Sequence, residues 1–198
     1  IPENTPIFVV PARLQMSSFT LPAHLQEDVV DPFLSEIQAW LTSSALYSED
    51  NDQIALSIYI AVERKRGQDS FFHPYLATLP ATYDGPISGP WTPSELRELQ
   101  QSDAITTATD VARHVDEWYG RFHEFAVRNN LNELYTSITR EEMRWACTVL
   151  RTRAFSIPHV PNKPNAVGLV PLLDLLSHRP RPDAWVSHIG LTECSCRP

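Results

Sequence analysis

Asp174, Ser177 and His178 close a run that begins at Arg151 and reads R-T-R-A-F-S-I-P-H-V-P-N-K-P-N-A-V-G-L-V-P-L-L-D-L-L-S-H. An acid, a hydroxyl and an imidazole so near one another invite comparison with a hydrolytic triad. Triad members, however, are brought together by the fold and not by adjacency, and no G-x-S-x-G elbow occurs here. Asp174 is the more demanding residue: a carboxylate that interrupts an apolar run must be paired or must cap a turn. Arg153 upstream is open to the same two readings, a guanidinium that pairs with a neighbouring carboxylate or one that faces a ligand. Other chemistry-bearing pairs carry less. Cys194 and Cys196 would need further thiolates to hold zinc and read as free thiols, and His114 and His123 are spaced wrongly for ligation from one helix face.

The elements that must position Arg153 and Asp174 are legible in outline. Ile7 to Pro11 is a β-branched and aromatic run ended by proline, which predicts a short strand at a sheet edge. Asp31-Pro32 predicts an N-cap with proline at the first helical position, followed by Phe33, Ile37, Trp40 and Leu41 at helical spacing. Ile54, Ile58 and Val62 predict a helix over 51–66, closed by three cations and by Gly67 in the left-handed conformation. Ser70 to Pro90, rich in aromatics and prolines, predicts an irregular segment pinned by ring packing, with Phe71, Phe72, Tyr75, Tyr83 and Trp91 as core and a peptide-docking groove as the alternative.

Thr92 with Glu95 forms a capping box opening a short helix through Gln100. Val111, Val115, Trp118, Phe122 and Phe125 mark the longest helix, over 109–129. A second capping box, Thr139 with Glu142, opens a helix that carries Met143, Ala146, Cys147 and Leu150 toward Arg153. Val167 to Pro171 reads as strand. Helices between separated strand groups predict an α+β domain whose sheet is interrupted by a helical insertion. The proline-rich segment 179–198 has little periodicity and predicts an irregular tail.

Composition bounds the function. The 198 residues carry a formal net charge of −8 with scattered arginines, which argues against a phosphate-tracking surface and favours a basic protein segment as partner. Three cysteines without framework spacing argue against a disulfide scaffold and for a reducing compartment. The apolar runs 54–62 and 169–176 fall well short of the roughly 20 residues a membrane helix needs.

The pattern Thr152-Arg153-Ala154-Phe155 followed by Asp174-Leu175-Leu176-Ser177-His178 resembles the S-R-x-F and D-L-x-N-H elements of the SET-domain protein methyltransferases of the Rubisco large-subunit and actin-histidine type. Glu63, Gly67, Ser70 to Leu76, Leu79-Pro80 and Pro90-Trp91 resemble the same family's E-x-x-x-G-x-x-S-x-W-x-P-Y-L-x-x-L-P insertion motif, spacing included. The resemblance covers most of residues 1–178. It implies an α+β fold with a SET-type sheet core: residues 1–25 and 152–178 supply the core, 26–151 the substrate-facing helical insertion, and 179–198 the tail. It implies S-adenosylmethionine as cofactor, with Arg153 on its carboxylate, Asp174 organising the loop, and Ser177 and His178 lining the pocket. The activity implied is in-line transfer of a methyl group to a protein lysine or histidine nitrogen by a monomer of cytoplasm or nucleus, plastid not excluded. A noncatalytic protein-binding module derived from such an enzyme is the alternative.

Three departures bear on these expectations. Ser177 stands where the family has Asn, and its shorter hydroxyl predicts weaker cofactor affinity, restored by Ser177→Asn. No G-x-G turn precedes the first strand, and no Tyr follows Tyr135, so no catalytic residue is assigned. An incomplete or degenerate methyltransferase, weak or inactive alone, is therefore expected.

Overall fold

Every residue from Ile54 to Glu63 is buried, and the rest of the molecule packs around that helix. The computed structural model describes residues 8–17, 20–36, 49–83, 92–99, 102–157, 167–176, 185–189 and 193–197. In chain order these form strands β1 (Phe8–Pro11) and β2 (Met16–Ser17) and a helical stretch α1 over 23–36. Helices α2 (Glu49–Arg66), α3 (His73–Leu76), α4 (Pro93–Glu98), α5 (Asp103–Arg128), α6 (Glu133–Thr136) and α7 (Arg140–Arg153) come next. Strands β3 (Ala154–Ser156), β4 (Val167–Leu169), β5 (Trp185–Ile189) and β6 (Glu193–Arg197) complete the described elements. This is the α+β arrangement of separated strands around a helical middle that the sequence predicts.

Two small antiparallel sheets form, in the orders β1-β6-β5 and β2-β4-β3. β1 is an edge strand, as its terminal proline requires. Its partner is unexpected. The segment 179–198 is not an irregular tail: it supplies the β5–β6 hairpin, with Trp185 opposite Arg197 and Ile189 opposite Glu193, and lays β6 against β1. Its sequence lacks an apolar alternation strong enough to announce a strand. Cross-strand hydrogen bonding to β1, a partner distant in the chain, is what orders it.

α1 also departs from expectation. The helix begins at Ala23, with Pro22 at its cap, and Asp31 is not an N-cap. Asp31 lies inside the helix with φ −63° and ψ −44°, its N–H donating to the carbonyl of Gln26 five residues back. The widened π turn over Gln26–Val30 has a cause at the next residue: Pro32 brings no N–H, and its ring crowds the carbonyl of residue 28, so a local expansion admits it without breaking the helix. Ile37, Trp40 and Leu41 lie outside the described residues. Phe33 is fully buried, with ring centroids 5.4 Å from Phe122 and 5.5 Å from Phe125, which clamps α1 onto α5.

α2 buries more than the Ile54–Ile58–Val62 stripe. Leu56, Ile60 and Ala61 on its other faces are buried too, because α7 and the β2-β4-β3 sheet cover it on different sides. A helix apolar on several faces belongs in the middle of a domain. Gly67 ends it with φ +57°, the left-handed conformation that lets the chain reverse. The reversal is tied down from behind: Ser70 Oγ donates to Glu63 Oε2 at 2.6 Å and accepts from the Phe72 N–H at 3.0 Å, while Arg66 pairs with Glu63 at 3.1 Å. Glu63, Gly67 and Ser70, the spaced residues of the insertion motif, are thus one knot. It satisfies a buried carboxylate and sets the start of α3.

Both capping boxes form. Thr92 receives Glu95 N–H at 3.3 Å, and Thr139 receives Glu142 N–H at 3.2 Å, with each glutamate accepting back from the threonine N–H. Glu142 also accepts from Lys65 at 3.0 Å, and Lys65 donates to the Ser137 carbonyl at 2.9 Å, so the cap joins the end of α2 to the start of α7. Among the described residues no helix is long and apolar enough to cross a membrane.

Gly168, central in β4, is required by close approach. A Cβ there would stand 2.9 Å from the Met16 carbonyl oxygen and 2.5 Å from Ile157 Cδ1. The isoleucine tip can swing, but the β2 backbone cannot without losing its register. Gly168→Ala is expected to destabilise the protein by about 1–3 kcal/mol in urea denaturation; a change within about 0.5 kcal/mol would show that β2 yields freely.

Candidate functional site

Arg153 is the last residue of α7, and Ala154 opens β3 in register with Leu169 at the end of β4. Antiparallel pairing sets the end of α7, just before β3, beside the turn that leaves β4. After Leu169 the chain turns through Leu172, whose φ is +73° and ψ −36°, a strained conformation for a branched side chain, into the short turn Leu173–Leu175 that carries Asp174. The pairing and the turn together bring Arg153 Nη1 to 3.0 Å from Asp174 Oδ2. The Asp174 side chain is 0% exposed and that of Arg153 21%.

Two phenols complete the cluster. Tyr75 on α3 donates from its hydroxyl to the same Asp174 Oδ2 at 3.0 Å, and Arg153 Nε donates to Tyr83 Oη at 3.0 Å. Burial first, and then the Asp174 carboxylate, raise the Tyr75 phenol far above its ordinary range, so it is a permanent donor. Burial alone would depress the Arg153 guanidinium, but its bonds to Tyr83 and Asp174 prevail and hold it above its usual value. It is charged at every physiological pH. Asp174 Oδ1, by contrast, is buried and has no hydrogen-bond partner among the described residues. An acceptor left so costs roughly 1–3 kcal/mol, and it stands beside a guanidinium with donors to spare.

Arg153 and Asp174, singled out from sequence, therefore meet. Ser177 and His178 lie outside the described residues. Tyr75 and Tyr83, core rings by expectation, do pack against the core, and their hydroxyls are in addition hydrogen-bonding members of the site. The available hint was chemical: a buried tyrosine hydroxyl needs a partner. Phe71, also expected in the core, is 64% exposed, whereas Phe72 is buried.

Cys147 is no nucleophile, since complete burial pushes its thiol up to about 11 even though it donates to Ser57 Oγ at 3.3 Å. Cys194 and Cys196 are in β6, and no metal-holding group of three ligands exists among the described residues. The loop that delivers Tyr83 is fastened from α2 and α7: Arg64 donates to the Ala81 carbonyl at 2.9 Å and stacks 3.8 Å over the Trp145 ring, whose Nε1 donates to the Pro80 carbonyl at 2.9 Å.

Comparison with known proteins decides what this frame is. The solved SET domain of LSMT bound to lysine and AdoHcy superposes with a TM-score of 0.66 over 100% of this chain and 41% of that one, at 24% identity. Actin-histidine N-methyltransferase of Homo sapiens is 31% identical over 141 residues, 67% of this chain, and that of Mus musculus is likewise 31% identical. The chain belongs to the SET-domain protein methyltransferases. No family model matches it. This SET-domain chain spans 23% of the length of the human relative. Around the Arg153–Asp174 pair, Arg153 comes from the end of α7, Asp174 from the turn after β4, Tyr75 from α3 and Tyr83 from the segment that follows it.

Proposed function

We propose that this chain serves S-adenosylmethionine-dependent methylation of a protein side-chain nitrogen, lysine or histidine, and that Arg153 and Asp174 receive the amino-acid end of the cofactor. One observation carries the reading: a guanidinium and a buried carboxylate converge at 3.0 Å while, among the described residues, no donor reaches Asp174 Oδ1. The fit is chemical. With Nε and Nη1 engaged, the Nη2 edge of Arg153 suits a carboxylate, and an acceptor such as Oδ1 suits an ammonium. S-adenosylmethionine supplies a methyl group already activated on its sulfonium, so the protein has only to bind, align and exclude water. Arg153 would hold the carboxylate, and Asp174 would fix Arg153. Ser177 and His178 are proposed to line the same pocket.

The relatives support both acceptors, since the sequence matches are named for a histidine of actin and the solved SET domain holds lysine. Calorimetric titration with AdoHcy, followed by methyl transfer from labelled cofactor to lysine- and histidine-bearing peptides, tests the reading and chooses between acceptors. Ser177→Asn is expected to tighten AdoHcy several-fold by restoring a longer side chain that accepts and donates from separate atoms. Absence of AdoHcy uptake by the parent and by this variant would leave a protein-docking module as the function.

A further inference from the structure

The insertion does more at this site than fill space. Arg153 is gripped at two points, Nε by Tyr83 and Nη1 by Asp174. Turning the guanidinium plane would break both bonds, so they dictate that the Nη2 edge is the one presented. Asp174 is itself held by the Tyr75 hydroxyl on the oxygen that Arg153 uses, which leaves Oδ1 as the acceptor that no described residue fills. Neither tyrosine belongs to the strand segment. Tyr75 comes after the Glu63–Ser70 knot, and Tyr83 comes after the Pro80 and Ala81 carbonyls pinned by Trp145 and Arg64. We infer that Tyr75 and Tyr83 are positioning residues: through their hydroxyls the helical insertion sets the orientation of Arg153 and Asp174, and with it the affinity for the amino-acid end of the cofactor.

This inference rests on the proposed cofactor role of the pair, and its test separates the two. The full chain and its Tyr75→Phe and Tyr83→Phe variants are titrated with AdoHcy and with 5′-methylthioadenosine, which keeps the nucleoside and thioether but lacks the carboxylate and ammonium. Loss of one hydroxyl is expected to weaken AdoHcy by roughly fivefold to tenfold, the scale of an ordinary net hydrogen bond, because the hydroxyl acts on the ligand only through Arg153 or Asp174. Binding of 5′-methylthioadenosine should stay within about twofold of the parent, since it makes no use of that end.

A tyrosine that merely supports the fold would weaken both ligands alike, and that result, or unchanged AdoHcy affinity, overturns the inference. Failure of the parent to bind AdoHcy removes the cofactor reading first and the inference with it, a result visible before any variant is examined. Should Tyr75→Phe not fold, Tyr83→Phe, which leaves the buried Asp174 with both of its partners, carries the same comparison.

Discussion

Asp174→Ala is expected to lower stability by about 3 kcal/mol and to abolish measurable AdoHcy binding. The substitution strips one acceptor from two donors at once. The Arg153 guanidinium, only 21% exposed, loses its counter-ion, and the Tyr75 hydroxyl loses its acceptor. Breaking a buried pair by removing one member typically costs about 3–5 kcal/mol, because the survivor is left charged and dry; the partial exposure of Arg153 puts this case at the low end. Asp174→Asn keeps the volume and an acceptor for Tyr75 while removing the charge, so its loss should be roughly half as large. Urea denaturation of the two variants beside the parent reads the difference. If both fall within about 0.5 kcal/mol of the parent, the pair does not exist in solution.

Phe33→Ala should cost more, about 3–5 kcal/mol. The ring is fully buried and packs edge-on against Phe122 at 79° and tilted against Phe125 at 56°. Its loss opens a cavity and also forfeits aromatic pairing worth about 0.5–1.5 kcal/mol per pair. The packing lies between α1 and α5, and the hydrogen bonds that hold Arg153 and Asp174 involve none of these three rings, so ligand affinity per folded molecule should not change. Phe33→Leu, which fills most of the space, is expected to lose about 1.5 kcal/mol or less. Thermal unfolding of both variants checks the order, and an alanine variant within about 1 kcal/mol of the parent would mean that α1 is not docked as described.

Much of the frame was readable because its signals are local. A capping box is a four-residue pattern, so Thr92–Glu95 and Thr139–Glu142 could be recognised without knowing what the helices pack against. Helical spacing announced Val115, Trp118, Phe122 and Phe125 as one buried face, and all four are buried. Gly67 advertised its left-handed conformation by lacking a side chain. Where a local rule met competition, it failed: Asp31-Pro32 reads as a helix start, yet the helix already under way absorbed the proline in a π turn. The β5–β6 hairpin was missed because its order depends on β1, well over a hundred residues away.

The sequence by itself singled out Arg153 and Asp174, since an acid that interrupts an apolar run must find a partner and the motif order set the arginine beside it as a candidate. The same order of motifs determined the SET resemblance. Only the tertiary structure decided that each is the other's partner, because β3 pairing with β4 is a long-range hydrogen-bonding choice that no spacing along the chain reports. It also decided that Tyr75 and Tyr83 serve that pair. Their hydroxyls acquire a role only once the knot at Glu63 and the stacked Arg64 and Trp145 have set them beside a carboxylate and a guanidinium distant in the chain.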